Sequence, residues 1–274
     1  MAGNFVQLHN HTHYSLLDGA SKVPDLVKRV KELGMPAVGI TDHGNMHGAY
    51  ELWRAAVDSG VKPIIGIEAY VTPETARQDK TRVSWDTNWT PVPGHARNPD
   101  DVSGGGLITH LTMWAENDEG LVNLIKASSV ANLEGRVMRY PRMDKEVLST
   151  YSKGVIASSG CPSGIIQTRL RLGQFDEALR AAGEFQDIFG KDNFYIELMD
   201  HGLSIESKVT GDLLTIAKKL GAPLLATNDS HYVMEADKDA QDAMLCINSG
   251  ATLDDPNRFK FEGSGYYIKS AEEM

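Results

Sequence analysis

The sequence lacks the features that mark secreted, membrane-spanning or disulfide-stapled proteins. Its 274 residues include only two cysteines, Cys161 and Cys246, too few for a disulfide framework, so a reducing cytosol is the expected setting. No apolar run approaches the roughly 20 residues that a membrane helix needs. The first residues also lack the basic start and apolar run of a signal peptide. These absences predict a cytoplasmic protein with no membrane partner.

Positive charge is also scarce. Lysine and arginine number 27 against 37 aspartates and glutamates, which gives a formal net charge of −10. A protein that coats DNA is basic, so the surface as a whole is not that of a general polyanion binder. A local metal site remains compatible with this balance, because bound cations offset acidic charge.

Short apolar runs alternate with segments of helical periodicity. Helices are predicted between most of the runs, because apolar side chains recur there at helical spacing. The alternation favours a parallel β/α barrel, although a doubly wound open sheet would show the same pattern. The runs predict strands near 5–8, 37–41, 63–71, 107–115, 154–158, 194–198 and 223–227.

Residues 72–106 interrupt this alternation. The stretch is rich in Pro, Gly, Asp, Thr and Trp and shows no period, which is typical of a functional or disordered insertion. Basic residues mixed with aromatic ones suit single-stranded nucleic acid, but a surface loop or a contact with other domains would use them equally well. These residues are Arg77, Lys80, Arg82, Trp85, Trp89 and Arg97.

Metal-binding residue types recur at or near the ends of the predicted strands. His9 and His11 close the first strand as H-N-H and, at positions i and i+2, point to the same side. Since the C-terminal ends of barrel strands converge on one face, we expect a common cluster there. Imidazole, thiolate and carboxylate together suit zinc or manganese. The further candidates are Asp18, Asp42, His43, Glu68, His110, Cys161, Asp229 and His231.

Taken singly, each of these residues has a simpler interpretation. Cys161 alone would be a small buried side chain, which is the interpretation we give to Cys246. Asp42 is expected either to orient a histidine ligand or to make a structural hydrogen bond. Asp200 and His201 follow the sixth strand and either contact substrate or form a surface turn. It is the joint placement at six of the seven predicted strands that predicts a metal cluster.

The motifs resemble those of the polymerase and histidinol phosphatase (PHP) domain family. H-N-H with a following Asp, T-D-H-G, a strand-borne Glu and N-D-S-H carry the resemblance, and GVKPIIGIEAYV, SSGCPSGII and TNDSHY are similar to the branch found in bacterial replicative polymerase alpha subunits. The resemblance covers nearly the whole chain. It implies a distorted (β/α)7, TIM-like barrel forming one domain over 1–274, with the metal site at the C-terminal strand ends. Polymerase domains of the same subunit, outside this chain, and other replisome subunits are the implied protein partners.

The resemblance also implies a ligand set and three divalent ions, zinc or else manganese. By the family pattern Glu68 is shared between two ions: one also held by His9, His11 and Asp229, the other by His110 and Cys161. Asp18, His43 and His231 would hold the third ion. Glu68, Asp18 and Asp229 are the catalytic candidates. Carried over position by position, the ligands are His9, His11, Asp18, His43, Glu68, His110, Cys161, Asp229 and His231.

Every family ligand position holds a competent residue, so the resemblance implies the active form of the domain. That form is a 3′–5′ exonuclease that hydrolyses phosphodiester bonds at a single-stranded or frayed DNA 3′ end and proofreads for the polymerase. Two alternatives stay open: a small-molecule phosphomonoesterase of the histidinol phosphatase type, and an inactive, metal-stabilised scaffold. Comparing a nucleotide monophosphate with a single-stranded oligonucleotide as substrate would decide between the two enzymes. Release of nucleotides by the metal-loaded protein would argue against the scaffold.

Overall fold

The computed structural model describes residues 5–92 and 97–274. These residues divide into two compact units, and each is described below by itself. The first unit contains the chain up to Ile67 together with Met199–Leu203 and Ala226–Met274. The second contains Glu68–Leu198 and Ser204–Leu225.

Helices and strands alternate along the described chain. The predicted class is confirmed as a mixed α/β fold. The described residues contain seven strands, but the set differs from the prediction: the strand at Arg142–Met143 was not predicted, and the one predicted near 5–8 is not regular. Within the same residues, no helix combines the length and apolar character that crossing a bilayer requires. The elements are α1 (Val23–Glu32), β1 (Ala37–Ile40), α2 (Ala49–Ser59), β2 (Lys62–Val71), α3 (Ser103–Gly106), β3 (Thr109–Ala115), α4 (Asp118–Glu134), β4 (Arg142–Met143), α5 (Lys145–Thr150), β5 (Val155–Ser158), α6 (Ile165–Arg171), α7 (Phe175–Phe189), β6 (Phe194–Leu198), α8 (Ser204–Leu220), β7 (Leu224–Ala226), a 3₁₀ turn (Glu235–Asp237) and α9 (Lys238–Ser249).

The core of the first unit forms between α1, α2 and β1. Helix α1 has a proline in its first turn, where no backbone donor is lost, and it stops before Gly34, whose φ of +70° suits glycine. Its apolar residues repeat every three to four positions and therefore share one buried stripe. The buried residues of this core include Val23, Leu26, Val27, Val30, Val38, Ile40, Leu52 and Ala56.

The predicted first strand near 5–8 is not a regular strand. Instead, residues 7–12 form an extended segment with isolated parallel bridges, Gln7 to Val38 and Asn10 to Ser230. Strand β1 pairs in parallel with the start of β2, from Ala37 opposite Lys62 onward. Residues 7–12 thus lie beside β1, but they do not form a continuous ladder with it. Asn10 interrupts the pairing, because its N–H donates to the hydroxyl of Thr41 and its Nδ2 to the carbonyl of Gly39.

In the second unit one strand runs against the predicted direction. The end of β2 is followed across the sheet by β3, β5, β6 and β7, with β4 paired to β2. Strand β5 is parallel to β6, but β3 is antiparallel to β5, with Met113 opposite Ala157. The expectation of an all-parallel arrangement is therefore wrong at β3.

The segment 72–106 joins β2 to β3. A parallel neighbour needs a crossover connection, usually a helix. In the described part of this segment the only helical element is α3, four residues long, in which Gly104 and Gly105 have left-handed φ angles of 60° and 67°. In the described residues, β3 therefore follows β2 without a crossover helix.

Contacts with the rest of the second unit hold the described part of the segment in place. Arg77 forms ion pairs with Glu134, Asp144 and Glu146 at 2.7–3.1 Å. Trp85 is buried and lies under the guanidinium of Arg169, 3.7 Å from the ring centre. Arg77 and Trp85 are thus already occupied in packing, while a contact of the segment with single-stranded nucleic acid stays one of the predicted alternatives.

Arg142 fastens this segment to the rest of the second unit. Its side chain is fully buried. The guanidinium donates to the carbonyls of Arg77 and Asp79, each at 2.7 Å, to Gly135 at 3.2 Å and to Leu107 at 3.3 Å. One planar group with several fixed donors thus joins three separate stretches of chain.

We expect Arg142→Met to lower the free energy of unfolding by about 3 kcal/mol or more, because it leaves several buried carbonyls without donors. Arg142→Lys should also destabilise the protein, since one ammonium group cannot reach all four carbonyls. Urea denaturation followed by circular dichroism measures both. Arg54→Met, at an exposed site on α2, is the control and should change the free energy by less than about 0.5 kcal/mol. Equal values for Arg142→Met and Arg54→Met would contradict the proposed fastening role.

Candidate metal centre

Two histidines enter the site on the extended segment 7–12. His11 N–H donates to the carbonyl of Ser230 at 2.8 Å, and Ser230 N–H donates to the carbonyl of His9 at 3.1 Å. Between them, Asn10 points the other way and donates through Nδ2 to the carbonyls of Gln7 and Gly39. Both imidazoles therefore lie on one side, with ring centres 5.3 Å apart, as the H-N-H spacing predicts.

A tight loop after β7 supplies Asp229 and His231. Asn228 anchors it by donating to the carbonyls of Gly265 at 2.6 Å and Tyr267 at 2.8 Å. Asp229 has a φ of +42°, a left-handed conformation that few residues other than glycine adopt, although aspartate is among the more tolerant. Such backbone strain is found at functional sites, where the surrounding hydrogen bonds hold it in place.

His9, His11 and Asp229 form the first group of converging donor atoms. Oδ1 of Asp229 lies 3.3 Å from Nε2 of His9 and 3.1 Å from Nε2 of His11. One donor atom from each of the three residues lies within 4.8 Å of the others. Two imidazole nitrogens and a carboxylate oxygen at such separations form a donor set typical of zinc or manganese sites.

A second group lies on the other side of His11. The rings of His43 and His231 stack on it, with centres 4.1 Å and 4.4 Å away. Oδ2 of Asp18 lies 2.9 Å from Nε2 of His43 and 3.6 Å from Nε2 of His231. Gln241, on α9, holds the Asp18 loop by donating to its carbonyl at 3.1 Å.

The two hydrogen bonds of Ser15 determine which ring nitrogen of His11 carries the proton. The hydroxyl of Ser15 donates its one proton to Oδ1 of Asp42 at 2.7 Å. Its oxygen also lies 3.1 Å from Nδ1 of His11, so in this contact the hydroxyl must accept. A neutral His11 then carries its proton on Nδ1 and keeps a lone pair on Nε2, the atom that faces Asp229.

The site's electrostatics favour neutral His11 and ionised carboxylates. Burial, followed by repulsion from His43 and His231, lowers the pKa of His11 to about 3. Burial alone would raise the pKa of Asp18 and of Asp229. The neighbouring histidines outweigh it and hold the pKa of both carboxyls well below the usual value.

The donor set therefore fits divalent cations on chemical grounds. The lone pair on Nε2 of His11 and the negative oxygen of Asp229 lie 3.1 Å apart. Two electron-rich atoms at that separation repel each other unless a positive group lies with them. A metal ion bound by imidazole and carboxylate supplies that charge, and the carboxylates are already in the ionised form that metal binding requires.

The second unit brings together three further predicted ligands. Nδ1 of His110 lies 3.3 Å from Oε1 of Glu68 and 3.3 Å from Sγ of Cys161. Glu68 is on β2, and Cys161 follows β5. His110 is near the start of β3, not the end, and it reaches Cys161 because β3 runs antiparallel to β5. The same reversal that the sequence did not indicate thus places the thiol beside the imidazole.

Other candidates take structural roles. Asp42 accepts hydrogen bonds from Thr12 and Ser15, so it positions His11 through Ser15 and not by a direct bond. His201 is buried, stacks on Tyr266 at 4.0 Å and contacts the carbonyl of Asn228 at 2.8 Å. Cys246 is buried and free, as expected. Asp200 is exposed and accepts from the backbone of Gly202, which fits the surface-turn interpretation.

Sequence reasoning did not single out Ser15. Its role depends on two partners, His11 four residues before it and Asp42 far along the chain. A serine in a loop carries no spacing signal that would distinguish this role from an ordinary turn. Only the order H-T-H-Y-S, which places a hydroxyl one short loop after a histidine pair, could have suggested it.

Comparison with known proteins assigns the chain to a family. The model of the PHP domain matches residues 7–201. The chain is also 53% identical to DNA polymerase III subunit alpha of Mycobacterium leprae over 271 residues, which is 99% of the chain but 22% of that relative. Identity to the same subunit of Borreliella burgdorferi is 40% over 98% of the chain and again 22% of the relative. The chain thus spans about a fifth of these relatives and matches their N-terminal part.

Solved structures are more distant. A structure from Bifidobacterium adolescentis, described as a metal-dependent phosphoesterase, aligns with a TM-score of 0.45 and 17% identity, covering 82% of this chain and 87% of the other. Similarity at this level carries no functional argument. The family model, by contrast, covers well over half of the chain, including seven of the nine proposed ligands. The chain belongs to the PHP domain family.

Proposed function

We propose that this chain is a metal-dependent phosphodiesterase that removes nucleotides from the 3′ end of DNA, as the proofreading part of a DNA polymerase III alpha subunit. The similarity to the N-terminal part of that subunit supports the setting. The observation that carries the proposed chemistry is the geometry around His11. A neutral imidazole, kept in one tautomer by Ser15, faces an ionised carboxylate within a group of four histidines.

The proposed ligands are the nine residues inferred from the sequence. Zinc is the first choice of metal and manganese the second, and three ions per chain are proposed. When bound, the ions would supply Lewis acids for the phosphoryl oxygens. His9, His11, Asp18, His43, Asp229 and His231 belong to the first unit and Glu68, His110 and Cys161 to the second.

The chain's own groups have three tasks in this reaction. Asp18, Glu68 and Asp229 are proposed as the catalytic carboxylates that hold the cations and balance their charge. Ser15 and Asp42 keep Nε2 of His11 directed at the site. The burial of His9 and His11 excludes bulk water, which strengthens every electrostatic interaction with the phosphate.

The bond changes follow from the products. Oxygen from water forms a bond to the phosphorus of the last phosphodiester, and the bond from phosphorus to the 3′ oxygen of the preceding nucleotide breaks. That oxygen takes up a proton and becomes the new 3′ hydroxyl, while the terminal residue leaves as a 5′-mononucleotide. The clustered cationic charge favours an in-line arrangement of the attacking and leaving oxygens.

Metal content gives the first test of this proposal. After purification without chelator, elemental analysis should find roughly two to three zinc or manganese ions per chain, because so many donors converge. A chelator should lower the melting temperature and added metal should restore it, since metal that binds only the folded state stabilises it. Absence of metal even after incubation with both ions would refute the metal centre. An unchanged melting curve after confirmed metal loss would show that the ions do not stabilise the fold.

Asp18→Asn tests the second group of donors. The amide keeps the shape of the side chain but removes its negative charge, so we expect one fewer ion per chain and a loss of activity of about 100-fold or more. The melting temperature of the metal-free protein should hardly change. Asp58→Asn, an exposed position on α2, is the matched control and should retain metal and activity. Full activity in Asp18→Asn would remove Asp18 from the site.

The activity itself is tested with single-stranded DNA labelled at its 5′ end. We expect metal-loaded protein to shorten it one nucleotide at a time and to release mononucleotides. Chelator should stop the reaction. The Glu68→Gln variant should also be inactive, whereas a contaminating nuclease would still degrade the DNA in a preparation of this variant. A mismatched primer end should be removed faster than a matched one, because less energy is needed to unpair it.

Two outcomes would contradict the proposal, and each would favour one of the alternative functions. Hydrolysis of a nucleoside monophosphate but not of the oligonucleotide would favour a phosphomonoesterase. If the DNA stays intact, the assay is repeated with this chain joined to the remainder of its polymerase subunit, whose own polymerase site is disabled. An untouched 3′ end in that protein, with metals confirmed, would favour the scaffold.

A further inference from the structure

A short aromatic and basic segment lies beside the histidine group of the first unit. Residues 258–261 read Arg-Phe-Lys-Phe. Phe259 is 62% exposed and Lys260 is exposed, whereas Phe261 is half-buried. A large aromatic side chain that faces solvent next to a lysine contributes little to the core. What distinguishes Phe259 from other exposed side chains is that it continues a row of rings from the histidine group.

The segment is held firmly at both ends. The guanidinium of Arg258 donates through Nη1 and Nη2 to the two oxygens of Asp242 on α9, each at 2.5 Å. On the far side, the hydroxyl of Tyr266 donates to the carbonyl of Glu262 at 3.0 Å. A bidentate ion pair and a side-chain hydrogen bond fix the backbone, so the exposed ring is presented from a constrained position.

Ring contacts connect this segment to the proposed ligands. Phe261 meets His231 edge-on, with ring centres 4.6 Å apart, and also packs against Tyr266 at 4.8 Å. Phe259 continues the series outward, edge-on to Phe261 at 6.0 Å. A row of aromatic rings therefore leads from a buried histidine of the site to solvent.

We propose that Phe259 is a stacking subsite for a nucleobase of single-stranded DNA and that Lys260 contacts the adjacent phosphate. This inference rests on the proposed function, because it assumes that the strand's phosphodiester lies at the histidine group. Base stacking on an exposed aromatic ring, combined with a neighbouring cation, is how proteins hold single strands without reading their sequence. Proofreading requires such tolerance, since any of the four bases can be misincorporated.

The ion pair of Arg258 with Asp242 identifies Lys260 as the cation of this segment that can contact phosphate. The guanidinium of Arg258 is engaged by Asp242, so Lys260 is the residue of this segment whose charge faces solvent. An exposed aromatic pair elsewhere in the same unit, Tyr50 and Trp53 on α2, has ring centres 5.8 Å apart. It is 66% and 50% exposed. Tyr50 therefore provides a control for the general effect of removing a surface aromatic ring.

Binding to two matched oligonucleotides tests the subsite without requiring turnover. Both are single-stranded thymidine oligomers with phosphorothioate linkages, which resist hydrolysis, and both carry a dye at the 5′ end. One has its bases throughout, and the other has abasic residues at the three positions nearest the 3′ end. Fluorescence anisotropy with the metal-loaded chain gives the four dissociation constants for the parent and each variant in turn, at two salt concentrations.

We expect the parent to bind the oligomer with bases more tightly than the abasic one. Phe259→Ala should weaken binding of the first by about 10-fold and leave the second unchanged, whereas Phe259→Trp should retain both affinities. Lys260→Ala should weaken both alike and reduce the slope of log affinity against log salt by about one. Tyr50→Ala should match the parent throughout.

The outcomes separate this inference from the proposed function. If Phe259→Ala binds both oligomers as the parent does, or if the parent does not distinguish them, the stacking subsite is wrong, and nucleotide release by the parent would still support the nuclease. If base-dependent binding is lost in Phe259→Ala while the parent hydrolyses no DNA, the subsite stands and the proposed hydrolysis fails. An equal loss in Tyr50→Ala would show a nonspecific surface effect and would also overturn the subsite.

Discussion

Backbone pairing of residues 7–12 is the constraint on which the histidine site depends. The segment bonds to Val38–Thr41 along one edge and to Ser230 along the other, with Gly39 N–H donating to the carbonyl of Gln7 at 2.8 Å. Because successive side chains of an extended chain point to opposite sides, this register turns His9 and His11 inward together. A slip of one residue would turn both imidazoles away and direct Asn10 into the site. The same bonds position Ser230, and with it the two neighbours Asp229 and His231.

The site gathers groups that are unfavourable in the interior of a protein. His9 and His11 have no exposed surface, and the ionised carboxylate of Asp229 lies against both. Burying charge without compensation is strongly destabilising. The fold confines this arrangement to one place and surrounds it with neighbours whose hydrogen bonds are satisfied. Asp42, for example, accepts from the backbone N–H and the hydroxyl of Thr12 and from the hydroxyl of Ser15. Such a local conflict with otherwise consistent packing is typical of a functional site.

The basic residues divide into two groups with different tasks. Those of the second unit are mostly occupied: Arg142 binds carbonyls, Arg77 pairs with acids, and Arg169 covers Trp85. They order a segment that by composition resembles a flexible loop. In the first unit, Arg258 likewise acts as an anchor, but it leaves Lys260 and Phe259 facing solvent. The acidic net charge and a nucleic-acid substrate are therefore compatible, because the proposed contact needs only a few residues beside the site.

The sequence by itself determined which residues could bind metal and which helices would form. Helices such as α7 (Phe175–Phe189) and α8 (Ser204–Leu220) lie between the strands, as predicted, because apolar periodicity and terminal glycines are local signals. The H-N-H spacing likewise decided that His9 and His11 share a side. Strand direction was not determined, because alternation of elements is the same for parallel and antiparallel neighbours. Only the tertiary structure showed that β3 is reversed and that His110 thereby meets Cys161. It also decided that Ser15, and not Asp42 directly, selects the tautomer of His11, since that hydrogen-bond chain joins residues 27 positions apart, a separation that no local pattern reports.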